Sequence, residues 1–187
     1  FLKRKNKHLY YVDDSPEAFF ILSNKNGNEN FALYKTNFVK TKDIYWKKII
    51  SHKNNELIED FLCFKDFIIL ETRKKGLTQL IQFNRKTNKK IYLSFNDKSY
   101  SVNLTNNYDY NSSSFSFHYS SLNLPPIIYS QDLYTKKRKK IWSQKVLNHD
   151  AKKYVTKRIN IEARDGTKVP ISLIYKKGIN LKKAPLL

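Results

Sequence analysis

Cysteine is almost missing from this 187-residue chain, and methionine is missing altogether. The one thiol, Cys63, excludes an intramolecular disulfide and a thiolate zinc cluster, and it suits a reducing compartment. Glycine occurs only four times. None of Gly27, Gly76, Gly166 and Gly178 sits in a phosphate-cradling loop, or in the Gly-x-Ser-x-Gly turn that carries an α/β-hydrolase nucleophile. Long apolar runs are lacking too. The densest, Phe67-Ile68-Ile69-Leu70, is far shorter than the ~20 residues a membrane-spanning helix needs. The first residues hold no apolar stretch of secretory length, so a soluble chain in the cytoplasm, without a membrane partner, is expected. They also begin on Phe1-Leu2-Lys3-Arg4-Lys5 rather than on methionine, so the chain is expected to be an internal piece of a longer one.

Acid is the other scarcity: 16 Asp and Glu stand against 36 Lys and Arg, a formal charge of +20. Such a charge brings nucleic acid, acidic membranes and polyanionic proteins into consideration. The densest basic run, Lys136-Lys137-Arg138-Lys139-Lys140, has Tyr134 and Trp142 beside it, a pairing suited to phosphate contact and base stacking. The simpler reading is a solvated surface, because lysine recurs along every turn. The run also follows a turn and enters a strand, a position where charge blunts a sheet edge. No specific nucleic-acid partner is expected.

No His-x-x-x-His, Cys-x-x-Cys or clustered carboxylate motif has the spacing of a metal site. His8, His52, His118 and His149 are scattered, and Ser51-His52 is mere adjacency, because neighbouring strand residues point to opposite faces. The paired acids Asp13-Asp14 and Glu59-Asp60 are read as flanking strands and facing solvent. The chain is therefore expected to contain no catalytic, cofactor-binding or metal-binding residue, and to need no cofactor.

What is present is strand. At 40% hydrophobic and 14% aromatic, the chain is too apolar to be disordered. Its apolar residues come in short β-branched or aromatic runs bounded by Asn, Asp, Gly, Ser or Lys. Turn residues such as Asn24 to Asn30, Lys74-Lys75-Gly76 and Asp165-Gly166 separate them, the last being the clearest hairpin signal. The stretch 43–64 also fits a helical stripe, but His52 to Asn55 breaks it, and strands are expected there. Expected strands fall in three sets: 7–12, 17–23, 30–36 and 44–51; then 57–64, 67–73, 77–84 and 89–95; then 100–105, 113–120, 126–133 and 138–144.

Four antiparallel strands recurring at roughly 40–50 residues is the spacing of propeller blades. Three blades are fewer than the roughly four to eight that close a ring, so the blades are expected to continue in a longer molecule. Three unclosed blades also leave open sheet edges, through which self-association is expected. After Asp150 the texture changes: 154–163 alternates, turns at Asp165-Gly166, and returns along 169–175. The fold class is all-β, a partial propeller over 1–146 followed by a linker and hairpin over 147–187.

The segment Ala163-Arg164-Asp165-Gly166-Thr167-Lys168-Val169-Pro170-Ile171-Ser172-Leu173-Ile174-Tyr175-Lys176-Lys177-Gly178 resembles the first hairpin of the catalytic domain in the prolyl oligopeptidase family, closest to its oligopeptidase B branch. Tyr119 to Leu122, Pro125 to Tyr129 and Asp132-Leu133 resemble that family's last blade; so do Phe19 to Tyr34 and Trp46 to Leu80 earlier blades, in the expected order. The resemblance implies a serine peptidase of short peptides, cleaving after Arg or Lys, in which a propeller caps an α/β-hydrolase domain. It also implies that nucleophile, acid and histidine lie after the hairpin, with Lys183 to Leu187 matching the start of the next hydrolase strand, so no catalytic residue carries over and this piece would restrict access. The rival reading is a non-enzymatic propeller adaptor that binds proteins. A charge of +20 is at odds with that preference, since like charge repels an approaching cationic peptide.

Overall fold

A computed structural model of the chain describes residues 6–182. Lys3-Arg4-Lys5 of the first basic run, and the Lys183 to Leu187 segment likened to a further hydrolase strand, lie outside the described residues. The described residues form three four-stranded antiparallel sheets and one hairpin. The first sheet holds β1 (Tyr10–Ser15), β2 (Ala18–Ser23), β3 (Ala32–Thr36) and β4 (Lys47–Ile50). The second holds β5 (Leu57–Cys63), β6 (Phe67–Lys74), β7 (Leu77–Asn84) and β8 (Lys90–Tyr92). The third holds β9 (Tyr100–Leu104), β10 (Ser114–Ser121), β11 (Leu124–Asp132) and β12 (Arg138–Ser143). Each sheet runs in simple chain order, which is the up-and-down meander of a propeller blade. The hairpin pairs β13 (Tyr154–Glu162) with β14 (Lys168–Lys176).

The side-chain alternation of the strands explains how the sheets stack. On the second sheet, Ile68, Leu70, Ile81 and Phe83 face the first sheet and meet Phe20, Leu22, Leu33 and Ile50. The neighbours Phe67, Ile69 and Leu80 face the opposite way and meet Val102, Phe115, Phe117 and Tyr119 of the third sheet. A sheet covered on both faces needs apolar residues at successive positions rather than alternate ones, hence the unbroken Phe67-Ile68-Ile69-Leu70 run. The far face of the first sheet carries a smaller cluster, Ile21, Ala32, Tyr34 and Trp46. Lys25 lies over the Tyr34 and Trp46 rings at 5.6 and 5.1 Å, with its ammonium on the Asp43 carbonyl.

Two expected strand starts move furthest, and the strand expected over 89–95 already ends at Tyr92. The strand expected over 44–51 begins at Lys47, because Asp43–Tyr45 makes a 3-10 turn that closes on Trp46 N to Asp43 O and swings the indole inward, its Nε1 donating to Thr41 O. The strand expected over 7–12 is displaced to β1, because Lys7 has a positive φ and the Asn24 side chain ties down Lys7 O and Leu9 N. The Asp165-Gly166 hairpin forms, but through a longer loop in which Ala163 N bonds Thr167 O. The two-residue connection Lys75-Gly76 has φ of 51° and 71°, the paired positive values of a primed hairpin turn. Pro125 and Pro126 enter β11 at its beginning, where the ladder to β10 is already irregular.

Candidate functional site

In each sheet the first strand is an edge strand, and these three edges converge. Strand β9 packs chiefly on β7 and also touches β5. Buried Glu71 of β6 reaches across to β9, accepting hydrogen bonds from Asn103 Nδ2 and Leu104 N at 2.8 Å each. On the other side, Asp60 of β5 is close enough to Asp13 of β1 to disfavour the charge of Asp13. These first strands are edges by which neighbouring blades approach one another.

Charge is sorted across the blades by strand position. Strands β1, β5 and β9 carry Asp13, Asp14, Glu59 and Asp60 and not one Lys or Arg. Strands β4, β8 and β12, at the opposite edges, carry Lys47, Lys48, Lys90, Arg138, Lys139 and Lys140 and not one Asp or Glu. Asp13, Asp14 and Asp60 are exposed and Glu59 is half-buried, so the paired acids face solvent as expected, but from within the first strands rather than beside them. Partial desolvation pushes the Asp13 carboxyl up, with Asp14 and Asp60 adding to it. Burial likewise raises Glu71, against its two hydrogen bonds. Glu59 answers Arg73 Nε at 2.8 Å. Of the basic run, Arg138 is no free surface cation: its guanidinium lies over Phe95, Phe117 and Tyr129 at 4.6 to 5.7 Å and forks onto Gln131 Oε1.

The two ends of the sheets differ. At one end the hairpin is docked. Arg158 of β13 donates to Lys75 O at 2.6 Å and to Ser172 Oγ at 3.0 Å, and Ser99 Oγ meets Ser172 Oγ at 2.5 Å. The linker holds the third sheet through His149 Nε2 on Asn123 O at 2.8 Å and Asn123 Nδ2 on Ala151 O at 3.3 Å. The positive φ at 76 favours glycine, and a Cβ there would stand 3.3 Å from Arg158 Nη2, a tight contact, and 3.6 Å from Pro170 Cγ, an ordinary one. At the other end lie the turns that join first strands to second strands, with Glu17, Lys65 and Tyr110.

The histidines are dispersed as expected. His8 Nε2 meets Ser23 Oγ at 2.9 Å, but Ser23 is fully buried and also holds Leu9 O. His52 spans Asn30 N and Asn54 Oδ1, and His118 is exposed on β10. Among the described residues, no three His, Cys, Asp or Glu side chains cluster as a metal site would require. Cys63 is inert: burial pushes its thiol up to about 12. The charge sorting was missed in the sequence. Its signal is nonetheless there, since Asp13-Asp14 and Glu59-Asp60 fall in the same strand of successive sets.

Comparison with known proteins agrees with this architecture. The family model described as prolyl oligopeptidase, N-terminal beta-propeller domain, matches residues 1–144. The chain belongs to the prolyl oligopeptidase family. Oligopeptidase B from Trypanosoma brucei, in a closed form with covalently bound antipain, superposes with a TM-score of 0.83 at 28% identity, over 97% of this chain and 27% of that one. Oligopeptidase B from Leishmania major gives 0.83 at 20% identity, over 95% of this chain and 26% of that one, a likeness of fold. Dipeptidyl aminopeptidase BI of Pseudoxanthomonas mexicana is 29% identical over 180 residues, 95% of this chain and 25% of the relative. The chain thus spans about a quarter of the length of these family members. The family consists of peptidases, and this part of it is propeller.

Proposed function

We propose that this chain walls the substrate channel of a serine oligopeptidase that hydrolyses short peptides after Arg or Lys. The propeller part covers 1–146, and 147–187 is the linker and opening hairpin of a hydrolase domain that supplies the serine, acid and histidine. Its task is exclusion: a narrow channel with packed walls admits flexible peptides and rejects folded proteins. The 187-residue chain alone hydrolyses nothing, and the enzyme works in the cytoplasm.

The observation that carries the cationic preference is the sorting of charge. Cationic peptides meet Asp13, Asp14, Glu59 and Asp60 along the inner strands, while the Lys and Arg of β4, β8 and β12 sit at the far edges. A cleft lined by one sign of charge concentrates ligands of the other sign, whatever the net charge of the body around it. The likeness to an oligopeptidase B supports the same reading. The adaptor alternative is less well supported, since the matched relatives are peptidases.

The test is the complete enzyme carrying Asp13→Asn, Asp14→Asn and Asp60→Asn together. The expected result is a loss of about tenfold in kcat/KM for peptides ending in Arg at low salt, the lower range of electrostatic steering. A neutral peptide of equal length should be unaffected. The gap should close near ~1 M salt, where the screening length is about 3 Å. Equal losses for both peptides, or no loss for either, would refute the cationic preference.

A further inference from the structure

The packed cores join the sheets only in neighbouring pairs, the first to the second and the second to the third. One polar group touches all three. Arg85 stands on the turn after β7, its side chain 14% exposed, and turns inward. Its Nη1 donates to Lys65 O at 2.7 Å and Phe64 O at 3.0 Å, both in the β5–β6 turn of its own sheet. The same nitrogen meets Tyr110 Oη at 2.8 Å, in the β9–β10 loop of the third sheet. Its Nη2 donates to Glu17 Oε2 at 3.0 Å, in the β1–β2 turn of the first sheet. The Tyr110 hydroxyl donates in turn to Glu17 Oε1, Lys35 Nζ holds Glu17 Oε2 at 3.1 Å, and the Phe20 ring lies 5.3 Å from the guanidinium carbon.

The position of this clamp matters more than its strength. Glu17, Lys65 and Tyr110 belong to the turns between first and second strands, and first strands line the channel. The docked hairpin is at the other end, on Lys75, Ser99 and Asn123. The clamp therefore ties the inner turns of three successive blades around the channel mouth farthest from the hairpin. Without it, the separation of the first and third blades at that mouth is set through the second blade, by the two packed cores in series.

We propose that Arg85, by holding Glu17 and Tyr110 together, sets the aperture of the outer channel mouth and so the length and bulk of peptide the enzyme accepts. This rests on the reading that the chain walls a peptidase channel. Arg85 is a positioning residue here; it touches no reacting atom. A cation without the planar fork cannot hold both partners and two carbonyls at once, so lysine is a poor replacement.

The experiment uses the complete enzyme and two reporters with the same cleavage sequence, a short peptide and one of about thirty residues. For Arg85→Ala, the ratio of kcat/KM for the long to the short peptide is expected to rise about tenfold, the equivalent of one lost restraint of roughly 1.4 kcal/mol. The kcat for the short peptide should stay at the wild-type value. Tyr110→Phe, which removes only the shared hydroxyl and leaves every other Arg85 bond, should move the ratio in the same direction by less, and Arg85→Lys should fall between wild type and alanine. If Arg85→Ala does not fold, Tyr110→Phe decides. A wild-type enzyme that cleaves the short peptide, with a ratio unmoved in Tyr110→Phe and Arg85→Ala, overturns the aperture proposal alone. A wild-type enzyme that cleaves neither peptide overturns the peptidase reading and this proposal with it.

Discussion

Ile69 offers a direct test of whether the blades are held by two-sided packing. It lies on β6 with no exposed surface, facing the third sheet, while Ile68 beside it faces the first. Ile69→Ala removes three carbons, worth about 0.8 kcal/mol each in transfer from water. The rigid surroundings, Phe67, Leu80, Phe115 and Phe117, cannot collapse fully into the gap, which adds a cavity term. The expected loss is about 3–4 kcal/mol, within the range of roughly 2–5 measured for buried isoleucine to alanine. With a urea m-value of about 2 kcal/mol/M, the unfolding midpoint should fall by about 1.5–2 M. Ile141, 57% exposed on β12, is the control, and its alanine variant should stay within about 0.5 kcal/mol of wild type. Because Ile68 and Ile69 enter different interfaces, their losses should add within about 0.5 kcal/mol. A loss at Ile69 below about 1 kcal/mol, comparable with Ile141, would refute the claim that the second sheet is buried on both faces.

Two further expectations concern charge and backbone. Hydrogen bonds from Tyr110, then Arg85 and Lys35, hold Glu17 down to about 2 from 4.5, so it stabilises the fold above pH 4.5, and that contribution is lost as pH falls toward 2. Burial raises Glu71 above 4.5, so its contribution has the opposite sign, present at low pH and lost as pH rises through the raised value. Urea midpoints followed from pH 2 to 7 should therefore show wild type losing its advantage over Glu17→Gln on acidification and over Glu71→Gln on going to neutral pH; parallel curves would contradict both environments. Gly76→Ala and Gly27→Ala both place alanine at positive φ, at a cost of about 1–2 kcal/mol, but only position 76 meets Arg158 and Pro170. Gly76→Ala should thus be the more damaging and should also hasten proteolysis within 154–176, whereas equal effects would mean the hairpin is not docked there.

Much of the fold is legible in the sequence because an antiparallel meander is a local structure. Each strand pairs with the next within a sheet, so turn residues at 24–30, 74–76 and 165–166 and the apolar runs between them suffice to place most strands. The two displaced strand starts share one cause. At Lys7 and at Asp43–Tyr45 the chain is captured by partners distant in sequence, Asn24 and Lys25 respectively, which no run or turn signal announces. The hairpin was recognisable from Arg164-Asp165-Gly166-Thr167, but where it docks was not, since Lys75, Ser99 and Asn123 have no mark as neighbours.

Composition misled on electrostatics for a similar reason. A net charge is a sum, and a sum carries no position; +20 could be a uniform coat or a basic rim around an acidic wall. Strand order within each set decides which, but only once the sheets are stacked do Asp13 and Asp60 come together and Arg85 span Glu17 and Tyr110. By itself, then, the order of residues determined the strands, their meander and the family they belong to, because periodicity and turn chemistry act over a few neighbours. Which edges face inward, where the acids gather and what ties three blades at one mouth were decided by the packing of whole sheets, whose faces meet across scores of intervening residues.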